Sequence, residues 1–253
     1  MGEYHAVVTS LLAVLGKGRS LDFGQDSSAS PLAREITYGV LRDYYRLNAI
    51  VSQLIKKPLA SKHLDIKILI LAGLYSIEHI RRPQYASVND VVETATELGK
   101  PWTKGIVNGV LRNFIRQRET ICQNIGSDIT ATTNHPEWLV QAISVAWPQE
   151  AMSVFQANNT HAPMTLRVNL ARNSRPEYAE ILKANRIGCT EGSLSAAALY
   201  LDNPVPTHRL PGFEQGLCSV QDEASQLAAT ILAAGPGDQV LDACAAPGGK
   251  TCH

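Results

Sequence analysis

The sequence has 253 residues, of which 45% are hydrophobic and 18% charged; this excludes a fibrous or largely disordered chain and allows two or three compact units. The net charge is zero, but residues 1–130 carry 16 Lys and Arg against 12 Asp and Glu, whereas residues 131–253 carry 7 against 11. This mild asymmetry permits a polyanionic partner for the first half without requiring one.

The five cysteines lie at positions 122, 189, 218, 244 and 252, and no two form a Cys-x-x-Cys pair. This pattern predicts neither a disulfide framework nor a zinc site, so we expect no metal and a reducing, cytoplasmic location. The apolar stretch from Ala6 to Leu15 lacks the basic start of a signal peptide and predicts an amphipathic helix. The longest uncharged apolar run, Ile68 to Ile77, is about half of what a bilayer requires, so we expect no membrane segment.

Residues 1–130 are predicted to form an all-helical bundle. Residues 66–80 are almost entirely apolar, which predicts a buried helix. Ser87 followed by Asp90 resembles a capping box at a helix start, and the Gly-Lys-Pro sequence at 99–101 predicts the end of that helix. Another helix is expected from about residue 103, and no segment in this half alternates as a strand does.

A polar stripe follows one face of the helix predicted over residues 103–118. Lys104, Asn108, Arg112 and Arg116 recur at intervals of four, which places them above one another on a helix. Such a stripe can contact a phosphate backbone, and it is also what an ordinary solvated helix face looks like. The sequence leaves both interpretations open for Lys104, Arg112 and Arg116.

Residues 131–215 are predicted to form a small α+β unit. Alternating apolar and polar residues over 164–168 predict a half-buried strand. A helix is expected over about 176–185, with short strands near 187–189 and 197–201.

Residues 216–253 are predicted to begin a Rossmann-like α/β domain. A helix is expected over Val220–Ala234 and a strand over Asp238–Ala243, which runs into a Pro-Gly-Gly loop of the kind that binds ligands at the ends of parallel strands. The loop ends in Gly-Lys-Thr, as a Walker phosphate loop does. That motif needs glycine at position 244, which is cysteine, so a phosphate loop is excluded.

Seven stretches resemble known families, in order along the chain. ASVNDVVETA (86–95) and GIVNGVLRNF (105–114) resemble the NusB-type helical RNA-binding domain. HPEWLV (135–140), APMTLRVN (162–169), LPGFEQG (210–216), SVQDEASQ (219–226) and LDACAAPGGKT (241–251) resemble the bacterial ribosomal RNA cytosine-C5 methyltransferases of the RsmB (Sun) type. The order predicts a multidomain protein: a NusB-like bundle, a small α+β unit, and the first helix and strand of a methyltransferase domain.

The resemblance implies an enzyme that uses S-adenosylmethionine to methylate C5 of cytosine in small-subunit (16S) ribosomal RNA. It implies that the cofactor is contacted by a loop of seven residues: Cys244, Ala245, Ala246, Pro247, Gly248, Gly249 and Lys250. The glycines would allow backbone N–H groups to approach the amino-acid end of the cofactor, and Lys250 would meet its carboxylate. Ribosomal RNA is the expected partner, and we expect a monomer in the cytoplasm.

The family's nucleophile is a cysteine in a Pro-Cys segment beyond the glycine loop, and no Pro-Cys dipeptide occurs here, so none of the five cysteines is assigned as catalytic. The chain is therefore expected to be the front part of such an enzyme, ending after its first cofactor motif. We expect it to be inactive and to bind the cofactor weakly. Two alternatives stay open: a non-catalytic RNA-binding protein using the NusB-like domain, and a helical protein-interaction module.

Overall fold

The computed structural model describes residues 2–21 and 30–253, and the chain divides into two compact units, Met1–Thr160 and His161–His253. The first unit is helical in its described residues. Its helices are α1 (Glu3–Leu11), α2 (Pro31–Arg42), α3 (Tyr44–Leu54), α4 (Leu64–His79), α5 (Gln84–Glu97), α6 (Lys104–Ile125), α7 (Ile129–Thr133), α8 (Glu137–Ala146) and α9 (Ala151–Asn159). The predicted helical bundle is confirmed.

Helix α4 forms the centre of the first unit. It contacts α1, α2, α3, α5 and α6, and 11 of its 16 residues are buried. A helix that is apolar on every face is stable in water only when other helices surround it, as the sequence predicted. Helix α6 approaches closely at Gly73, where an added Cβ would lie 2.9 Å from a methyl carbon of Leu111.

The predicted start of α5 is wrong, and its predicted end is right. The expected capping box of Ser87 and Asp90 is not formed, because the helix starts one turn earlier, after Pro83, and Ser87 is buried inside it. Asp90 pairs instead with Arg82 at 2.6 Å. The predicted end is confirmed: Gly99 has a φ of +71°, the left-handed conformation that glycine adopts without strain.

The second unit contains a four-stranded antiparallel sheet with the strand order β2-β3-β1-β4. Its elements are β1 (Met164–Val168), α10 (Arg175–Ala184), β2 (Cys189–Glu191), β3 (Ala198–Leu201), β4 (Cys218–Val220) and α11 (Glu223–Leu232). Leu166 of the inner strand β1 lies opposite Leu199 of β3 and Val220 of β4. The buried side chains of Tyr178 and Leu182 place α10 against this sheet. The predicted strand over 164–168 and helix over about 176–185 are confirmed.

The structure differs from the sequence prediction in two elements after residue 216. The helix expected from Val220 begins at Glu223, because Cys218–Val220 pairs with β1 as an edge strand, and local propensity does not reveal that distant partner. The strand expected over Asp238–Ala243 is not formed. A parallel-type strand needs neighbours to satisfy its backbone groups and cover both faces. Among the described residues no strand pairs with it, and Val240 and Leu241 are exposed.

The contact-based division has two units, whereas the sequence predicted three parts, 1–130, 131–215 and 216–253. Helices α8 and α9 lie in the first unit, and β4 shares a sheet with β1 in the second. The three-part division remains a prediction about domains.

Candidate functional site

The predicted cofactor loop is a series of short turns on the surface of the second unit, formed by Cys244, Ala245, Ala246, Pro247, Gly248, Gly249 and Lys250. Asp242 closes its base: its carboxylate accepts hydrogen bonds from the Cys244 backbone N–H (3.2 Å) and from Thr251 Oγ1 (2.5 Å). Gly248 turns the chain with a φ of +97°, and its N–H donates to the Ala245 carbonyl oxygen at 2.5 Å. Local hydrogen bonds therefore shape the loop although the preceding strand is absent.

The chemistry of the loop suits an amino-acid carboxylate. The Lys250 side chain is exposed and forms no ion pair with any residue that the structure describes. The space beside the Gly249 Cα is open, since the atom nearest to an added Cβ would be Gln221 Nε2 at 3.8 Å. In the described residues the Gly249 N–H donates to no backbone acceptor. An ammonium next to such an N–H group can bind a carboxylate by charge-assisted hydrogen bonds. These residues fit the amino-acid end of S-adenosylmethionine.

Arg167 ties the loop to the sheet, a role that the sequence analysis missed. Its Nη1 donates to the Gln221 side-chain oxygen at 2.8 Å and to the Gly249 carbonyl oxygen at 2.5 Å. Gln221 is itself held to β1 by its backbone N–H, which donates to the Thr165 carbonyl oxygen at 3.0 Å. Burial lowers the pKa of Arg167 from its ordinary value. The one feature of the sequence that could have indicated this role is a charged residue between two apolar residues of the predicted strand.

The SVQDEASQ stretch anchors α11 to the sheet through two buried polar residues. The Glu223 carboxylate accepts hydrogen bonds from the backbone N–H groups of Leu194 (2.7 Å) and Ser195 (2.9 Å) and from the Tyr200 hydroxyl (2.8 Å). These donors, with the Ser195 N–H first, lower the pKa of Glu223. Gln226 donates to the Gln221 carbonyl oxygen at 3.0 Å. The stretch therefore sets the position of the segment that precedes the cofactor loop.

The predicted RNA-binding residues lie along α6, but their charges are not equally available. Lys104 forms an ion pair with Glu93 at 2.8 Å, which neutralises it. Arg112 uses Nε to bond Asn108 at 2.8 Å, and in the described part of the chain its two terminal nitrogens have no partner. Arg116 donates through Nη2 to its near neighbour Asn113 at 3.2 Å. Arg112 and Arg116 therefore retain uncompensated positive charge on this face, and Lys104 does not.

Two of the cysteines have environments that suppress thiolate formation. Cys218 is buried, and its sulfur lies 2.9 Å from the Tyr178 hydroxyl oxygen. Burial raises the pKa of the Cys218 thiol and also that of Cys189. A thiol with a raised pKa is a poor nucleophile at neutral pH.

A cluster of Asp43, Glu78 and His79 in the first unit has the composition of a metal site, with ligand atoms within 4.8 Å of one another. Arg46 fills it, donating to Asp43 at 2.9 Å and to both Glu78 oxygens at 2.7 and 2.9 Å. Arg118 reaches Glu78 from another side at 3.2 Å. The arrangement is an ion-pair network that joins α3, α4 and α6.

Comparisons with known proteins agree with the order of these elements. The NusB family matches residues 9–116, and the Methyltr_RsmF/B-like, ferredoxin-like domain matches residues 135–208. A relative named Ribosomal RNA small subunit methyltransferase B from Pseudomonas syringae is 41% identical over 222 residues, which are 88% of this chain and 50% of the relative. The chain is homologous to the ribosomal RNA small subunit methyltransferase B proteins. One from Vibrio vulnificus is 40% identical over 255 residues, 98% of this chain and 60% of the relative.

The homology covers nearly all of this chain, and the chain spans about half the length of the curated methyltransferase B relatives that it matches. A solved structure, that of a protein designated PH0851, superimposes with a TM-score of 0.66 and 17% identity over 99% of this chain and 60% of that one. At this identity the likeness describes the fold alone. Within the described ranges, no helix is both long and apolar enough to cross a membrane.

Proposed function

We propose that the protein methylates C5 of cytosine in the RNA of the small ribosomal subunit, with S-adenosylmethionine as the methyl donor, in the cytoplasm. The observation that carries this proposal is the exposed loop ending in Lys250, in a chain whose relatives at 38–42% identity are named ribosomal RNA small subunit methyltransferase B. The resemblance of 241–251 to the cofactor motif of cytosine-C5 methyltransferases supports the choice of base and atom.

The residues of this chain have a binding role in the proposed reaction. S-adenosylmethionine supplies an electrophilic methyl group when bound. Lys250 would pair with its carboxylate, and the backbone at Gly248 and Gly249 would approach its amino-acid end. Arg167, through the Gly249 carbonyl, and Asp242, at the base, would hold the loop in the conformation that presents these groups.

The nucleophile is proposed to come from outside these 253 residues. C5 of cytosine becomes reactive when a thiolate adds to C6, which is covalent catalysis by an activated cysteine. The raised pKa of the thiols of Cys218 and Cys189 does not suit that role. The resemblance assigns it to a Pro-Cys segment, a dipeptide that this chain does not contain.

A second candidate is a non-catalytic RNA-binding protein that acts through the NusB-like unit. The free terminal nitrogens of Arg112 on the exposed face of α6 favour it. RNA binding through phosphate contacts weakens steeply with added salt, whereas docking of an apolar protein surface does not.

The deciding experiment uses the protein purified from its own cells through a tag at its N-terminus. Its mass is measured, and it is incubated with small ribosomal subunits and methyl-tritiated S-adenosylmethionine. A species heavier than 27.4 kDa that places label in 5-methylcytidine supports the proposal. Label on another base or on ribose would overturn the assignment to C5. A 27.4 kDa species that binds RNA and transfers no label would favour the second candidate.

The weak cofactor binding expected of the 253-residue chain is tested separately by titration calorimetry. We expect no heat of binding at micromolar S-adenosylmethionine. A micromolar dissociation constant would contradict that expectation, and Lys250→Ala would then show whether the loop is responsible.

A further inference from the structure

A groove runs between α5 and α6 on the surface of the first unit. It has two adjoining parts, of about 510 and 390 Å³. Tyr85 and Arg112 line both parts, and Asn89, Asp90 and Asn108 line the larger one. The cofactor chemistry proposed for the second unit uses none of these residues.

The groove exposes an aromatic ring that nothing in the fold requires. The Tyr85 side chain is 77% exposed, and among the described residues its hydroxyl has no hydrogen-bond partner. The buried Tyr178, in contrast, uses both its ring and its hydroxyl, which donates to the Pro211 carbonyl oxygen at 2.9 Å. A ring that is largely exposed, and whose hydroxyl has no partner in the described residues, is available to stack on a ligand.

The charge of the groove favours an anion. Asp90 is neutralised by Arg82 at 2.6 Å, so its carboxylate does not compensate Arg112. Arg112 donates through Nε to the side-chain oxygen of Asn108, which leaves its two terminal nitrogens directed to no group in the described ranges. The groove therefore carries one uncompensated positive charge next to the Tyr85 ring.

The surface of α6 beside Arg112 is bare. Gly105 and Gly109 lie on the same helix face as Arg112, and an added Cβ at either would meet no atom within 4 Å. Glycine within a helix costs about 0.5–1 kcal/mol relative to alanine. Packing among the described residues does not explain these glycines, and their absent side chains leave room for another backbone to approach Arg112.

We propose that this groove binds an unpaired nucleotide of RNA, with the base stacked on Tyr85 and its phosphate held by Arg112. The Asn89 and Asn108 amides lie where they can contact base edges. This inference rests on the proposed RNA-binding function and specifies how the RNA is bound. An aromatic face, a free guanidinium and neutral amides are the combination that single-stranded RNA sites use. A protein partner of apolar character would leave the guanidinium without a counter-charge.

The test measures binding of a fluorescein-labelled, unstructured 12-nucleotide uracil oligoribonucleotide to the 253-residue chain by fluorescence anisotropy at several salt concentrations. Stacking of a base on an aromatic ring contributes about 1–3 kcal/mol, so Tyr85→Ala is expected to weaken binding roughly 5- to 150-fold. Tyr85→Phe keeps the ring and should retain most of the affinity. Arg112→Gln should weaken binding and reduce the salt slope by about 0.7.

Two matched controls separate the groove from the rest of the surface. Lys183→Gln removes a surface charge of the second unit, which pairs with Glu180 at 3.4 Å, and Trp102→Ala removes another exposed aromatic ring, which contacts His63. Both should leave the affinity within about twofold. A blunt-ended 12-base-pair RNA duplex, whose bases are all paired, should compete poorly with the labelled strand.

The possible failures are distinguishable. If Tyr85→Ala binds the oligonucleotide as the wild type does, or Tyr85→Phe loses as much affinity as Tyr85→Ala, the stacking proposal is wrong while RNA binding by the chain stands. The groove would then be a surface for a protein. If the wild type binds no RNA at any salt concentration, both the groove proposal and the proposed RNA binding of this unit are wrong.

Discussion

The same substitution, glycine to alanine, is expected to have opposite effects at two helical positions of the first unit. At Gly39 in α2, an added Cβ would lie 1.9 Å from Tyr75 Cζ and 2.3 Å from its Cε2 and hydroxyl oxygen. At Gly109 in α6, nothing lies within 4 Å. The difference between the two variants isolates packing from helix propensity, because the chemical change is identical.

The cost at Gly39 follows from how firmly Tyr75 is held. Its ring is buried against α2, its hydroxyl donates to the Glu35 carboxylate at 2.8 Å, and its ring centroid lies 4.6 Å from that of His79. Carbon atoms normally approach to about 3.5–4 Å, so the ring must move by roughly 1.5 Å or more. Overpacking costs about 1–3 kcal/mol, and loss of a hydrogen bond to a charged group costs about 1.5–3 kcal/mol.

Helix propensity acts in the opposite direction. Replacing a helical glycine by alanine contributes about 1 kcal/mol in favour of folding. For Gly39→Ala the net expectation is destabilisation by about 1.5–5 kcal/mol, and for Gly109→Ala stabilisation by about 0.5–1 kcal/mol. All three tryptophans lie in the first unit, so urea unfolding followed by tryptophan fluorescence reports on this unit.

A double-mutant cycle tests the cause. Tyr75→Leu removes the atoms with which the new Cβ collides, so Gly39→Ala should cost much less in that background than in the wild type. The reasoning is refuted if the cost is the same in both backgrounds, or if Gly39→Ala and Gly109→Ala shift stability in the same direction.

Three further predictions concern polar contacts. The lowered pKa of Glu223 means that its stabilising effect is present above the ordinary carboxyl pKa of 4.5 and is lost as the pH falls through the lowered value. In urea unfolding followed by circular dichroism, Glu223→Gln should therefore be less stable than the wild type at pH 7, and the two stabilities should converge at low pH. A stability difference that does not change with pH would contradict this. Arg46→Gln leaves the Glu78 carboxylate, which is 2% exposed, with Arg118 as its remaining cationic partner. The variant should lower the free energy of unfolding in urea by about 2 kcal/mol. No change in the urea midpoint would mean that Arg118 alone is enough to compensate the Glu78 charge. Arg167→Gln should raise backbone hydrogen exchange in residues 244–252 without changing it in β1 and β3, and equal exchange in the variant would show that Arg167 does not hold the loop.

Local patterns predicted the features that local physics determines. The apolar run over 66–80 predicted α4 because a helix with no polar face has one stable environment. The alternation over 164–168 predicted β1, and Gly99 predicted the end of α5. Each of these features is determined by the residues of one segment and by which of their side chains avoid water.

The missed features depend on partners that are distant in the sequence. Strand β4 exists because Cys218–Val220 pairs with β1, about fifty residues earlier, and no period-2 signal appears in three residues. Arg167 looks like the polar position of a strand until the Gly249 carbonyl is found beside it. Tyr85 looks like an ordinary helix residue, and only the exposed ring next to Arg112 identifies it.

The segment from residue 238 onward shows how local contacts and contacts with distant residues both affect the candidate site. The loop keeps a defined shape because its hydrogen bonds, from Asp242 to Cys244 and Thr251, are local. The strand before it is not formed, because its stability depends on neighbouring strands, and Leu241 is 89% exposed. A cofactor that binds here must order the strand as well as contact Lys250, and that ordering opposes binding by about 1–2 kcal/mol per residue fixed. Under the proposed function, the loop would determine which ligand is bound, whereas the affinity would depend on how far the residues before the loop are already ordered.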